Sequence, residues 1–277
     1  EIQRSKGYST RESLNIEKVY QENVYDAVVI GAGHAGCEAA LALARTGQKT
    51  LLTTLNLDSI AFLACNPSIG GTAKGQLASE IDALGGEMGV NADKAMLQLR
   101  MLNSGKGPAV QSLRAQGDKV AYPEAMLKEL YAQENLTIQE GMVEDLIVED
   151  DTVKGIVLED GTKIESKIVI LTTGTYLKAD ILVGSERTRS GPNGEKPSLH
   201  LSDKLKEYGF DILRLKTGTP QRIKRDTIDF TKTRLEEGDK EYYTFCKMGR
   251  ADKAGFFIVE KDKSGFLSEF LGHFGHQ

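Results

Sequence analysis

The hexapeptide Gly31–Gly36 (GAGHAG) has the glycine spacing of a turn that binds a dinucleotide. Gly31 would permit a tight turn from a strand into a helix, Gly33 would let the backbone approach a pyrophosphate at the helix N-terminus, and Gly36 would let the helix pack closely on the strand. This spacing alone is weakly specific, and a glycine-rich turn without a ligand is the alternative. We predict that the turn binds a nucleotide through six residues: Gly31, Ala32, Gly33, His34, Ala35 and Gly36.

A second segment, Cys65–Gly75 (CNPSIGGTAKG), combines a cysteine with an Asn-Pro pair, a Gly-Gly pair and a lysine. A thiolate near backbone N–H groups or a lysine is stabilised and can act as a nucleophile, whereas a lone cysteine is more often a buried structural residue. The residues leave both interpretations open. Cys65 is our candidate for a catalytic thiol, and Asn66, Gly70 and Gly71 are candidates for cofactor contact.

The segment Thr172–Gly174 (TTG) follows an apolar run, Lys167–Leu171 (KIVIL), that we predict to be a buried strand. The run comes after a series of short strands, and this order resembles flavoproteins in which a Thr-Thr-Gly turn returns the chain to the dinucleotide. It favours FAD over NAD as the tightly bound cofactor, with Thr173 and Gly174 as contacts. An ordinary buried strand and turn is the alternative.

Two further segments carry basic residues. One is Ser104–Val110 (SGKGPAV), and the other is Arg214–Arg225, which contains five basic residues and no acid. Such a stripe can face phosphate groups, although runs of charge are usually just solvated. The candidates for substrate contact in and near these segments are Lys106, Arg114, Asp118, Arg214, Lys216, Arg222, Lys224 and Arg225.

The elements that must position these residues follow from hydrophobic patterning. Tyr25–Ile30 is typical of a buried parallel strand, Ala35–Arg45 of a helix that ends near Gly47, and Lys49–Thr54 of a second strand. Together they form a βαβ unit, so we predict an α/β fold with a Rossmann-type, glutathione-reductase-like FAD-binding domain. The second strand lacks the acid that usually binds ribose hydroxyls. Either the polar groups there, Thr54 among them, take its place, or the ribose is held otherwise.

The rest of the chain divides into a loop-rich part and a strand-rich part. Asp58–Asp118 is rich in Gly, Asn, Pro and Ser and predicts long functional loops with scattered helical pieces. A helix over Lys119–Glu134 and a β-meander over Leu136–Ile170 follow, with a two-residue hairpin turn at Asp160-Gly161. We therefore expect a polar extension at 1–24, the FAD-binding domain at 25–198, and the start of an inserted second domain with a divergent tail at 199–277.

Composition narrows the class of protein. The 277 residues are 40% hydrophobic, which is enough for a real core, and no apolar run approaches the ~18–20 residues that cross a bilayer. Three cysteines without a CxxC pair indicate a reducing cytosol rather than a disulfide scaffold or a zinc site. His273 and His276 lie on a Gly-rich tail and are more typical of solvated histidines, so we expect no metal. A net charge of −5 does not indicate a generic polyanion binder but leaves room for a local basic patch. We expect a soluble, cytoplasmic protein that does not contact membranes.

Taken together, the motifs resemble one family, the MnmG proteins, also called GidA, which modify the wobble uridine of certain tRNAs. The resemblance runs from about Tyr25 to about Phe230. The segments that carry it are, in order, GAGHAGCEAA, LACNPSIGGTAKG, EIDALGGEMG, MLNSGKGPAV, LRAQGDK, LTTGTYL and RLKTGTP. The CNPSIGG and KGPAV segments are far more specific than the glycine spacing.

The resemblance implies a concrete activity. Family members bind FAD, use NADH as reductant and methylene-tetrahydrofolate as one-carbon donor, and add an aminomethyl or carboxymethylaminomethyl group to carbon 5 of the uridine. They are homodimers that work with the GTPase MnmE, as a heterotetramer of two dimers. The basic candidates would then hold tRNA. Uracil carbon 5 is a poor nucleophile until a group adds to carbon 6, and a thiolate is a natural adding group, which would give Cys65 its role.

The chain also departs from the family. The second cysteine and the closing flavin-binding segment of the C-terminal half are not found, and after Met248 the sequence no longer resembles the family. We expect an N-terminal part of such a protein, which by itself binds FAD weakly or not at all. Two alternatives stay open: a folate- and FAD-dependent tRNA (uracil-5)-methyltransferase of the TrmFO type, and a truncated, non-catalytic fragment.

Overall fold

The computed structural model describes residues 23–64, 66–191, 194–218, 223–240 and 243–247, and the backbone of two later strands, Ile258–Lys261 and Leu267–Phe270. Four parts of the sequence analysis lie outside these residues: the polar extension up to residue 22, Cys65, Arg222, and the pair His273 and His276.

The described strands and helices alternate along most of the chain. In order they are β1 (Val24–Ile30), α1 (His34–Arg45), β2 (Thr50–Thr54), β3 (Ser68–Gly70), α2 (Lys74–Ala83), α3 (Met88–Ala95), β4 (Met96–Leu102), β5 (Ser112–Gly117), α4 (Ala121–Ala132), β6 (Leu136–Glu140), β7 (Val143–Glu149), β8 (Thr152–Leu158), β9 (Lys163–Leu171), β10 (Asp180–Val183), β11 (Glu186–Arg189), α5 (Leu201–Glu207), β12 (Ile258–Lys261) and β13 (Leu267–Phe270).

A six-stranded sheet forms the centre of the molecule, in the order β6-β2-β1-β9-β8-β7. The pairs β6-β2, β2-β1 and β1-β9 are parallel, whereas β9, β8 and β7 form an antiparallel meander. The predicted α/β class with a Rossmann-type βαβ unit and a meander is confirmed. Because β1, β2, β6 and β9 run in the same direction, their carboxyl ends meet at one edge of the sheet.

Helices α1 and α4 cover one face of this sheet. Tyr122, Met126 and Leu130 lie four residues apart on α4, so they share one face of the helix, and all three are fully buried. They pack in one cluster with Val29 of β1 and Leu52 of β2. This packing holds the strand ends, and the connections that follow them, in a fixed arrangement.

The part of the chain predicted to be rich in loops contains more regular secondary structure than expected. Residues 68–117 contain a three-stranded antiparallel sheet, in the order β3-β5-β4, together with α2 and α3. The prediction of long loops with only helical pieces was wrong here. β3 has just three residues, too few to show a pattern, whereas β4 does alternate apolar and polar residues from Leu97 to Met101, a signal that sequence reasoning missed.

Two details of the meander also differ from expectation. The hairpin between β8 and β9 has a three-residue loop, Glu159–Gly161, because the N–H of Leu158 bonds to Thr162 O at 2.9 Å and Gly161 closes the turn at φ +84°. The second half of β9 is not fully buried, since Ile168 and Leu171 are 44% and 39% exposed.

Helix α5 comes immediately after the domain boundary predicted near residue 198. It packs against β7, where the hydroxyl of Tyr208, at the end of the helix, bonds to Asp145 and to Leu146 O, both at 3.1 Å. The helix is thus attached to the meander of the predicted FAD-binding domain, and the division into domains stays a prediction. Within the described residues, no helix combines the length and the apolar character needed to cross a bilayer.

Candidate functional site

The glycine turn after β1 is held between the two neighbouring strands. Gly31 has φ +100° and donates its N–H to Thr53 O of β2 at 2.9 Å. On the other side, the hydroxyl of Thr172, directly after β9, lies 2.9 Å from Ile30 O and 2.8 Å from Gly31 O. A Cβ on Gly31 would lie 2.5 Å from Thr172 O, so only glycine fits at this position. Sequence reasoning missed Thr172, although it begins the Thr-Thr-Gly motif.

Gly36 lets α1 approach the turn closely. A Cβ at this residue would lie 1.7 Å from Gly31 O and 2.7 Å from the Thr172 hydroxyl oxygen. No side chain can be accommodated at such distances without moving the backbone. The third glycine of the motif therefore sets the distance between the helix and the end of β1.

Gly33 differs from the other two glycines because it faces open space. It is the N-cap of α1, and a Cβ built on it meets no described atom within 4 Å. Among the residues that the structure describes, no side chain caps this end of the helix, and the first turn carries no acidic residue. The N–H groups and the positive end of the helix dipole are therefore free to bind an anion, which fits the diphosphate of a dinucleotide.

The remaining residues of the motif have separate environments. Ala32 is buried, and its carbonyl accepts from the N–H of Ala61 at 2.9 Å and from the Cys37 thiol at 3.4 Å. Ala35 is exposed. His34 packs edge-on against the ring of Tyr122, with 5.5 Å between ring centroids, and its Nδ1 atom is buried without a partner in the described part of the chain. Burial lowers the pKa of His34, so the imidazole is neutral near pH 7.

The threonines that end β2 form hydrogen bonds within the protein. The hydroxyl of Thr53 donates to Val29 O at 3.3 Å, and that of Thr54 donates to Asn56 O at 3.2 Å. An acid does stand at this edge, but one strand further out: Glu140 ends β6 beside Thr54 and accepts from the N–H of Leu57 at 3.2 Å. The assignment of Thr54 to a ribose therefore stays a prediction.

Thr173 and Gly174 continue the chain away from the glycine turn. The carbonyl of Thr173 accepts from the N–H of Tyr176 at 3.2 Å, and Gly174 has φ +56°. Both residues follow Thr172, so they lie beside the carboxyl end of β1. Their contact with a cofactor stays a prediction.

The segment that contains Cys65 connects this turn to the three-stranded sheet. It leaves the turn at Ala61, whose N–H bonds to Ala32 O, and enters β3 after Pro67, whose carbonyl accepts from the N–H of Gly117 at 2.6 Å. Ala64 and Asn66, on either side of Cys65, are both exposed.

Gly70 and Gly71 have a structural reason to be glycines. Their φ angles are +80° and +101°, and a Cβ on Gly70 would lie 2.2 Å from Leu113 O of β5. The N–H of Gly71 donates to the same carbonyl at 2.7 Å. The Gly-Gly pair is explained by this backbone contact, and its role in cofactor binding stays a prediction.

The two described cysteines are both buried. Burial raises the pKa of Cys37 to about 12, so its thiol keeps its proton at neutral pH. Cys246 is 4% exposed. Buried thiols are poor nucleophiles, and this leaves Cys65 as the candidate for a reactive thiol.

The three substrate candidates near the SGKGPAV segment have different environments. Arg114 lies on β5, with its Cδ atom 4.0 Å from the position of a Cβ on Gly71. Lys106 is on an exposed loop, where its carbonyl accepts from the Gln111 side chain at 3.0 Å. The Asp118 carboxylate accepts from the N–H groups of Val120 and Ala121 at 2.7 and 2.9 Å, so it caps the start of α4.

The basic stripe contains one anchored arginine and several exposed cations. Arg214 donates to Leu177 O at 3.0 Å and to Lys178 O at 2.7 Å, which ties the stripe to the chain after β9. Lys216, Lys224 and Arg225 are exposed.

Sequence reasoning also missed a segment that supports the Gly70–Gly71 turn. Phe245 is fully buried, and its ring lies 2.7 Å from the position of a Cβ on Gly70. The buried carboxylate of Asp93 accepts from the N–H groups of Phe245 and Cys246, both at 2.9 Å, and Asp82 accepts from that of Lys247 at 2.8 Å. Desolvation raises the pKa of Asp93. No local pattern links residues so far apart in the chain.

Comparison with known proteins agrees with this architecture. The sequence model of the family described as "Glucose inhibited division protein A" matches residues 26–262. The chain is 57% identical over 226 residues to the tRNA uridine 5-carboxymethylaminomethyl modification enzyme MnmG of Geobacillus kaustophilus, and 54% identical to that of Bacillus thuringiensis. Its structure is similar to that of Aquifex aeolicus GidA, with a TM-score of 0.78 and 46% identity over 82% of this chain.

The comparisons correct one expectation about the extent of the resemblance and confirm another. The match to the family extends beyond Met248, so the prediction that the resemblance ends there was wrong. The aligned region covers 82% of this chain but only 36% of each of these two relatives and 38% of the Aquifex chain, which confirms that the resemblance is to part of such a protein only.

Proposed function

The chain belongs to the glucose inhibited division protein A family, and on this premise we propose that it forms the FAD-binding part of an enzyme that modifies the wobble uridine of tRNA at carbon 5. The names of the relatives support the tRNA substrate and the modified position. The product would be a uridine that carries a carboxymethylaminomethyl or an aminomethyl group at carbon 5.

One observation carries the dinucleotide part of this proposal: among the described residues, Gly33 faces open space and no side chain caps the helix N-terminus there. A diphosphate placed there would accept from backbone N–H groups and would be stabilised by the helix dipole. Gly31, Gly36 and Thr172 would keep the turn in this shape, since they connect it to α1 and β9. Once bound, FAD would supply redox chemistry to the site.

Cys65 would act on the uracil ring. As a thiolate, it would add to carbon 6 and break the double bond between carbons 5 and 6, which makes carbon 5 the nucleophilic carbon of an enolate. After carbon 5 has reacted, loss of its proton and release of the thiolate would restore the double bond. The hydrogen bond between Ala61 and Ala32 supports this role, because it holds the start of the Cys65 segment beside the dinucleotide turn.

The proposal includes further reactants and partners. NADH would be the reductant and methylene-tetrahydrofolate the one-carbon donor. The protein would be a cytoplasmic homodimer that works with the GTPase MnmE as a heterotetramer of two dimers. Exposed cations of the basic stripe, such as Lys216 and Lys224, would contact the tRNA backbone.

Nucleoside mass spectrometry tests the reaction. A family-length protein that carries this sequence is incubated with MnmE, NADH, methylene-tetrahydrofolate, an amine donor and tRNA. We expect an aminomethyl or carboxymethylaminomethyl uridine, and 5-methyluridine would instead indicate a methyltransferase of the TrmFO type. A visible spectrum without bound flavin in the same sample would contradict the assignment of FAD.

A further inference from the structure

A carboxylate joins the two connections that flank the glycine turn. Glu195 accepts a hydrogen bond from the Ser59 hydroxyl at 2.6 Å and another, on its other oxygen, from the Tyr176 hydroxyl at 2.5 Å. Ser59 belongs to the connection after β2, and Tyr176 belongs to the connection after β9. Burial raises the pKa of Tyr176, and the hydrogen bond to Glu195 adds to this shift, so the phenol keeps its proton and donates.

The two connections that this carboxylate joins flank the candidate dinucleotide site. In the sheet, β1 lies between β2 and β9, so a link between the connections after β2 and β9 passes beside the carboxyl end of β1 and its glycine turn. Both connections are tied to the site: Ala61, two residues after Ser59, bonds to Ala32 O, and the N–H of Tyr176 bonds to Thr173 O.

The chemistry of Glu195 indicates which part of a dinucleotide it would contact. An ionised carboxylate has about four acceptor positions, and the two neutral hydroxyls use two of them. Within the described part of the chain, no lysine or arginine forms an ion pair with Glu195. An uncompensated carboxylate repels a diphosphate but accepts readily from hydroxyl groups.

The end of β2 provides the reason why such a group is needed. Dinucleotide-binding folds usually have an acid there for the ribose hydroxyls, and this chain has Thr53 and Thr54, whose own hydroxyls donate to carbonyls of the protein. Building on the proposed function, we propose that Glu195 binds hydroxyl groups of the dinucleotide. Glu195 would thus take the place of the carboxylate that is missing at the end of β2. The hydroxyls belong to the adenosine ribose or to the ribityl chain, which share this chemistry.

A thermodynamic cycle tests the contact. FAD affinity is measured for a family-length protein that carries this sequence and for its Glu195→Gln variant. Each protein is also measured with two analogues, one lacking the ribose 2′-hydroxyl and one lacking a ribityl hydroxyl. Loss of a hydrogen bond to a charged acceptor should weaken FAD binding by about ten- to a hundredfold. Glu159→Gln is the matched control, because Glu159 is an exposed acid that pairs with Lys196, and it should leave FAD affinity unchanged.

The analogue that lacks the contacted hydroxyl should bind with the same affinity to the unaltered protein and to Glu195→Gln. This result shows whether the hydroxyl belongs to the ribose or to the ribityl chain. Additive effects with both analogues, together with normal FAD binding by the unaltered protein, would overturn this inference alone. Absence of FAD binding by the unaltered protein would overturn the FAD proposal and this inference together. If thermal melting shows that Glu195→Gln does not fold, Glu195→Asp, which keeps the charge but shortens its reach, replaces it in the same cycle.

Discussion

Replacing Gly33 by aspartate should raise the stability of the unliganded protein and lower its affinity for the cofactor. The substitution places a carboxylate at the N-cap of α1, where φ is −72° and a Cβ has no described neighbour within 4 Å. Aspartate is a preferred N-cap residue, and its charge faces the positive end of the helix dipole. The unliganded protein should therefore become more stable, by about 0.5 kcal/mol.

The same carboxylate should prevent dinucleotide binding. A unit charge about 4 Å from a phosphate charge costs about 4 kcal/mol at the effective dielectric of a protein surface. This corresponds to a loss of affinity of about a thousandfold. Gly33→Ala adds volume without charge, so it should lose less affinity than Gly33→Asp.

Flavin content by visible absorbance, FAD affinity by calorimetry and thermal melting of the unliganded protein measure these effects. Ala42→Asp is the matched control, because it adds the same charge on an exposed position in the last turn of the same helix. This control should keep FAD and should lower the melting temperature slightly, since a negative charge is unfavourable at a helix C-terminus. Unchanged FAD affinity in Gly33→Asp would refute the placement of the diphosphate at this turn.

Other substitutions probe the remaining parts of the site. Gly36→Ala should reduce the free energy of unfolding in urea by at least about 3 kcal/mol, because its Cβ would overlap the backbone of the glycine turn; wild-type stability would contradict the observed packing. Phe245→Ala should cost about 3–5 kcal/mol in the same assay, since the ring is fully buried; a smaller loss would mean that the segment is not a fixed part of the core. In a family-length protein, Cys65→Ser should keep FAD and lose tRNA modification, as judged by nucleoside mass spectrometry; near-normal modification would make Cys65 structural. Alanine substitution of three basic residues should flatten the salt dependence of tRNA binding by up to about 0.9 log units per lost phosphate contact, and an unchanged slope would indicate solvated surface. These three residues are Arg222, Lys224 and Arg225.

Much of the βαβ unit and of the meander could be predicted because their sequence signals are local. The apolar run of β1, the Ala/Leu-rich α1 with Gly47 at φ +85° just beyond its end, and the glycine spacing between them all lie within about one βαβ unit of sequence. Periodicity and the conformational freedom of glycine act over a few residues, so they are visible without a structure. The meander was also visible, although the hairpin loop is one residue longer than predicted.

The contacts that complete the site depend on the tertiary structure. Thr172 bonds to Gly31 across 141 residues of sequence, and Glu195 bonds to Ser59 across 136. Both contacts exist because parallel pairing brings the ends of β2, β1 and β9 to one edge. The sequence by itself determined the turn and the helix that can receive a diphosphate. The order of strands in the sheet decided which distant side chains surround that turn. Strand order is set by packing between elements, so it cannot be read from the residue pattern of any single strand or helix.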